Sequence, residues 1–243
     1  TPMLTGSLSF LASLTIIISI LRSEVKLSTS YRRLLFGLSV FDLFHSLGQA
    51  LSSTPMPVGT FLLSFGNDST CITQAFISTL GLTGTIVYSL SLTVYFLLVV
   101  KYDVHDDTIT TYVEPFLHAV PILYSSTISI YALVTKNYNL DDHVGSCIIN
   151  PRPTADCYDN PSVECIGRGN PDVLAWILCG TIISIFVANC IMLVMIWLAV
   201  HFQVKKSQAY RYSWMTSSRV SEPGHTNTGT TSSRFGTTAF SFL

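Results

Sequence analysis

The thirty residues CITQAFISTLGLTGTIVYSLSLTVYFLLVV, from Cys71 to Val100, contain no Asp, Glu, Lys or Arg. As a helix they extend about 45 Å at 1.5 Å per residue, more than the roughly 30 Å of a bilayer's hydrocarbon core. A run of this length without a charged group reads as a membrane span, and the rest of the chain is parsed outward from it.

Four more stretches have the same character, at 4–21, 34–51, 115–135 and 173–202. The first leads into the basic loop Arg22-Ser-Glu-Val-Lys26, and the second begins just after Arg32-Arg33. Pro115 suits the first turn of a helix, and Pro121 is expected to kink the span that contains it. The fold class expected is all-α, a multi-pass transmembrane helical bundle of five spans. Lys and Arg in short loops set the orientation. Arg22, Lys26, Arg32, Arg33, Lys101, Lys205, Lys206, Arg211 and Arg219 fall on one side, and Lys136, Arg152 and Arg168 on the other. The amino terminus is therefore expected outside, with Asp141, Asp142, Asp156, Asp159, Glu164 and Asp172 in an acidic outer loop.

Composition agrees. Hydrophobic residues make up 49% of the chain and charged residues 11%, a balance that a soluble domain would struggle to cover with polar surface. The net charge is near zero and no basic block is interleaved with aromatic residues, which excludes nucleic acid as an expected partner. The chain opens Thr1-Pro2-Met3 with no basic region before its first apolar stretch, so no secretory signal peptide is expected and the start reads as a fragment boundary. Beyond Phe202 the composition turns to Lys205-Lys206 and then to Ser, Thr and Gly. Residues 204–243 are expected to form a disordered cytoplasmic segment whose hydroxyls are candidate phosphorylation acceptors.

Of six cysteines, Cys179 and Cys190 fall within the fifth span and are expected to be reduced, buried, small apolar residues. Cys71, Cys147, Cys157 and Cys165 face the oxidising side, where such residues pair. Four cysteines allow three connectivities. Cys71 with Cys147 is favoured, leaving Cys157 and Cys165 to close a small loop through Asn160-Pro161. Irregular spacing without a CxxC pair argues against metal binding. Asn67-Asp68-Ser69 is a sequon for N-glycosylation in the first outer loop.

Within the second span Asp42, His45 and Gln49 recur at i, i+3 and i+7, on one helical face. Ionisable groups at that depth need partners, so this stripe is expected to form an intramembrane polar network, either functional or holding helices together. Gly81, Thr85, Ser89 and Thr93 place small residues every four positions along the third span, which suits close helix approach and a central position. Tyr88, Tyr95 and Asn189 are candidate cavity groups. There is no HExxH, GxSxG or phosphate-cradling Gly loop, and Glu114 and His118, four apart, read as a local hydrogen bond. No enzyme activity, cofactor or metal is expected.

Tyr31-Arg32-Arg33-Leu-Leu-Phe-Gly-Leu-Ser-Val-Phe-Asp42-Leu, then Leu51-Ser-Ser-Thr-Pro55-Met-Pro57, then Phe65-Gly-Asn67-Asp-Ser-Thr-Cys71-Ile-Thr-Gln74, and finally Tyr95-Phe-Leu-Leu-Val-Val-Lys101-Tyr102 follow one another in order. Over residues 31–176 the chain resembles the secretin-like and cyclic-AMP-receptor-like G-protein-coupled receptors of single-celled eukaryotes. The resemblance implies five spans of a seven-helix receptor fold and a cavity for an extracellular ligand. It also implies a Cys71–Cys147 bridge, a plasma-membrane location, and a cytoplasmic face that engages a heterotrimeric G protein. By the same analogy Arg32, Arg33, Lys101 and Tyr102, with Lys205 and Lys206, lie near the transducer surface. An Asp-Arg-Tyr motif, an ectodomain and the sixth and seventh helices are missing from the pattern, so the chain is expected to be a fragment.

The function expected first is a transmembrane signalling receptor. The alternatives are a small channel or transporter with its polar path at Asp42, His45 and Gln49, and a non-signalling membrane assembly partner.

Overall fold

The computed structural model describes residues 2–60, 63–141, 145–149 and 171–220, with 2, 141, 171–172, 175 and 209–220 described by backbone alone. Helix α1 covers Pro2–Arg22, α2 Ser30–Leu51 and α3 Asp68–Tyr102. A short α4, Asp106–Thr108, passes through a π-helical turn at Ile109–Val113 into α5, Glu114–Val134, and α6 runs over Pro171–Val220. Strands β1 (Tyr138–Asp141) and β2 (Ser146–Ile149) form an antiparallel hairpin with Leu140 opposite Cys147. Five helical segments are long and apolar enough to cross a membrane, the α4–α5 continuum counting as one. This is compatible with the all-α bundle expected, with the small hairpin as an unforeseen addition.

The chain divides into two units, Thr1–Val200 and His201–Leu243. The segment expected to be disordered from residue 204 begins instead as helix, because α6 continues to Val220. Between Val204 and Val220 there is neither Gly nor Pro, and the first breaker is Pro223-Gly224. Ser/Thr content alone does not stop a helix that is already propagating. Residues 221–243 lie outside the described part.

Local chemistry sets the helix ends. Asn67 caps α3: its side chain accepts from the Thr70 N–H at 3.0 Å, and the Thr70 hydroxyl accepts from the Asn67 N–H at 2.8 Å. At the other end Asp103 takes a left-handed conformation, φ 53°, and its N–H donates to the Leu98 carbonyl. Helix α5 runs through Pro121, whose side chain is fully buried.

In the first unit α3 is central, packed between α2 and α5 and touching both strands, while α1 lies against α2. Glycines set the close approaches. A side chain at Gly81 would overlap the His45 backbone nitrogen and the Phe41 carbonyl, and one at Gly48 would come within 2.7 Å of Ser78 Cβ. Of the small-residue stripe along α3, Gly81 does this work; it is joined by Gly84, which faces the Phe41 ring.

Two apolar clusters hold the unit. One, at the hairpin end, gathers Met56, Cys71, Ala75, Tyr138, Leu140, Cys147 and Leu174. The other gathers Leu34, Tyr88, Tyr95, Ile109 and Leu117, near the end where Arg22, Lys26, Arg32 and Lys101 collect.

Candidate functional site

At the hairpin end a disulfide joins Cys71, in the first turn of α3, to Cys147 on β2, with the Cα atoms 5.5 Å apart. Cys157 and Cys165 lie outside the described residues. Under the tethered hairpin Gln74 is 5% exposed. Its amide nitrogen donates to the Gly48 and Ser52 carbonyls, at 2.9 and 2.7 Å, clamping the last turn of α2. Two carbonyl acceptors fix the orientation of that amide and turn Oε1 the other way, where no described group meets it. A cavity of about 60 Å³ opens beside Gln74, Gln49, Ser78 and Ser146, with room for a few water molecules.

The stripe on α2 divides between two neighbours. Asp42 accepts hydrogen bonds from Ser9 and Ser13 of α1. His45 turns the other way, its Nδ1 lying 3.3 Å from the Ser78 carbonyl oxygen of α3. Gln49 is exposed at the edge of the small cavity. The three residues share no hydrogen bond with one another, so they tie α2 to two helices and form no continuous path.

The basic end holds a denser arrangement. Arg33 forms an ion pair with Glu114, through both Nε and Nη2. The remaining guanidinium nitrogen, Nη1, donates to the Leu27 carbonyl at 2.8 Å. Ser30 and Thr110 share a hydrogen bond at 2.7 Å beside it, and Arg33 Nη2 reaches Thr110 at 3.3 Å. The π-helical turn contributes Thr110 and precedes Glu114 directly. His118, one turn along α5, places Nε2 3.6 Å from Glu114, and its Nδ1 lies 3.0 Å from the Tyr88 hydroxyl. Tyr95 donates to Asp106 at 3.2 Å.

These contacts revise several expectations. Tyr88, Tyr95 and Asn189 meet different neighbours: Tyr88 bonds His118 and lines an open cavity between α2 and α5, Tyr95 bonds Asp106, and Asn189 sits on α6 with Oδ1 unpartnered among the described residues. Arg33 is committed to Glu114 and is not a free contact at the basic end. Arg32 donates to Ser23, while Lys101 lies 5.2 Å over the exposed Tyr102 ring. Lys205 and Lys206 are exposed on α6 in the second unit. Cys179 and Cys190 are exposed rather than buried, because only the first turns of α6 pack against the hairpin-end cluster. Asn67 serves as a helix cap through its oxygen, which leaves the side-chain nitrogen of the sequon exposed.

Sequence reasoning placed Glu114 beside His118, which stand 3.6 Å apart without the direct hydrogen bond expected, and missed Arg33 as the dominant partner. The available signal was that Arg33 and Glu114 each sit at the start of an apolar span, where a charge demands an opposite one. Among the described residues no three His, Cys, Asp or Glu side chains are placed to hold a metal ion. No family model matches the chain, and no curated protein matches it.

Proposed function

We propose that this chain is a receptor-like membrane protein of the G-protein-coupled type, binding a ligand at its hairpin end and engaging a G protein at its basic end. The observation that carries the reading is the Cys71–Cys147 bridge. It fastens a surface hairpin to one end of α3, the central helix, whose other end carries Lys101 and Tyr102 beside the α4–α5 junction. A displacement of the hairpin is thereby coupled to the opposite end of the same rigid element. The asymmetry of Lys and Arg between the two ends supports an outer hairpin and an inner basic end, and the plasma membrane is the location proposed. The role is binding and relay rather than catalysis. The separation of Asp42 from His45 disfavours the channel alternative.

The test is nucleotide exchange. The full chain in lipid nanodiscs is mixed with purified G-protein heterotrimers of each α-subunit class, and binding of a non-hydrolysable GTP analogue is followed. Exchange above that of empty nanodiscs, reduced on cleaving the bridge with dithiothreitol, is the result expected. Absence of exchange with every class, together with ion flux in liposomes, would move the reading to a channel.

A further inference from the structure

The loop that leads into α3 is held by its backbone. The Phe65 N–H donates to the Thr54 carbonyl at 3.0 Å, the Gly66 N–H to the Met56 carbonyl at 2.8 Å, and the Thr70 hydroxyl to the Pro55 carbonyl at 2.6 Å. Gly66 forms a bridge with Pro57, and Asn67 is extended, with φ −143° and ψ −179°. In extended chain successive side chains point to opposite faces. A side chain at Gly66 would run into the Pro55 carbonyl, so the face belonging to residue 66 is the inward one and only glycine fits there. Its neighbours Phe65 and Asn67 therefore point outward together.

One exposed aromatic ring is unremarkable on a protein surface. The place of this one is informative. Phe65 is 74% exposed, its ring stacks on no other among the described residues, and it stands two positions before Asn67-Asp68-Ser69. That tripeptide is the one Asn-x-Ser/Thr sequence in the chain free of proline at x, Asn160-Pro161-Ser162 being excluded by its proline. Asn67, Asp68 and Ser69 are all exposed. Asn67 uses Oδ1 to cap α3 and has no partner on Nδ2 among the described residues. Four residues on, Cys71 is oxidised with Cys147, the chemistry of the secretory compartments in which such asparagines are modified.

We infer that Asn67 carries an N-linked glycan whose first N-acetylglucosamine stacks on Phe65. In the transfer, Nδ2 bonds to the anomeric carbon of an oligosaccharide carried on a polyisoprenol pyrophosphate. The anomeric C–O bond breaks, the lipid pyrophosphate leaves with the electron pair, and the proton lost from Nδ2 passes to solvent. Oδ1 keeps its lone pairs, so the Thr70 N–H stays capped. The C–H groups on one face of the sugar are weakly positive, which suits the negative face of an aromatic ring, and their contact covers a ring that the loop holds outside. The inference depends on the hairpin end facing the outer compartment and not on signalling: failure of nucleotide exchange leaves it untouched.

The experiment expresses the full chain in cultured animal cells and maps the modification by mass spectrometry, before and after peptide N-glycosidase. One glycan, at residue 67, is expected, and Ser69→Ala should abolish it while leaving the Asn67 cap in place. In equilibrium unfolding in mixed micelles the glycosylated chain should show an unfolding constant about fivefold smaller than Ser69→Ala, the worth of one aromatic contact. In a Phe65→Ala background the same comparison should give a ratio of about one. An unmodified Asn67 in the oxidised chain, a glycan that persists in Ser69→Ala, or a glycan effect of equal size with and without Phe65 would each overturn the proposal. Both substitutions fall on exposed residues outside the cap, and mapping the glycan on the parent chain needs no variant.

Discussion

Removing Arg33 should harm the bundle more than removing both members of its ion pair. In Arg33→Ala the Glu114 carboxylate, with 9% of its side chain exposed, keeps a charge with no cation beside it. Stripping one partner from a buried pair costs about 3–5 kcal/mol. The Arg33 side chain is 26% exposed, so water reaches the vacated site and the lower end of that range, about 3 kcal/mol, applies. Glu114→Gln keeps an acceptor for the guanidinium and should cost about 1–2 kcal/mol, the difference between a charge-assisted and an ordinary hydrogen bond. Arg33→Met with Glu114→Leu replaces both charges by apolar volume and should lie within about 1 kcal/mol of the parent. The assay is equilibrium unfolding in mixed micelles at one pH, with Arg33→Met and Glu114→Leu also measured singly so that parent, two single variants and the double variant close a double-mutant cycle. The coupling between positions 33 and 114 should exceed about 1.5 kcal/mol. Additive effects, or a double variant as damaged as Arg33→Ala, would refute the claim that Glu114 is buried on account of Arg33.

Three further expectations follow from other parts of the fold. The Cys71–Cys147 bridge closes a 76-residue separation, for which loop-closure entropy gives a ceiling of about 4.5 kcal/mol; Cys71→Ser should lose a large part of that in unfolding experiments. Gly81→Leu should prevent close approach of α2 and α3, at about 2–3 kcal/mol, read as loss of correctly folded protein on size-exclusion chromatography, whereas Leu82→Ala on the exposed side should be near neutral. Burial raises the Tyr138 phenol above its ordinary value, so the proton is held more tightly in the folded hairpin than in the unfolded one. The stabilisation is whole below about pH 10 and fades as pH climbs toward the raised value, an effect that Tyr138→Phe should remove from an alkaline melting series.

The long apolar helices were legible because thirty uncharged residues in a row leave few alternatives, and the Cys71–Cys147 link because the bridge lies where the resemblance implied it. Side-chain partnerships were not. Residues three apart on a helix are separated by about 60° around its axis, enough for Asp42 to reach α1 while His45 reaches α3. The Arg33–Glu114 pair spans 81 positions, and local spacing carries no information over that distance. Gln74 had no signature at all: an amide within an apolar run reveals its role only when the end of α2 is seen beside it. The extension of α6 to Val220 follows from the absence of Gly and Pro after Val204, a local signal that the Ser/Thr-rich composition of the segment masks.

Helix α6 offers a measure of the membrane reading that does not depend on hydropathy windows. Trp176, Ile183, Phe186, Val194 and Trp197 are all more than half exposed and form one continuous apolar face of the helix. In water each such side chain forgoes about 1.5–3 kcal/mol of burial, and the sum over the helix rivals the 5–15 kcal/mol or so that holds a whole domain together. An apolar solvent removes that deficit. Trp176 and Trp197 are 21 positions apart, which is about 31 Å along a helix and matches a hydrocarbon core of about 30 Å. Tryptophans at that separation suit the two interfacial belts. In single-tryptophan variants retaining only Trp176 or only Trp197, fluorescence should be quenched by lipids brominated near the head group and spared by lipids brominated near the methyl end. If either residue were quenched most strongly from the bilayer centre, α6 would not cross the membrane between them, and the five-span topology would fall with it.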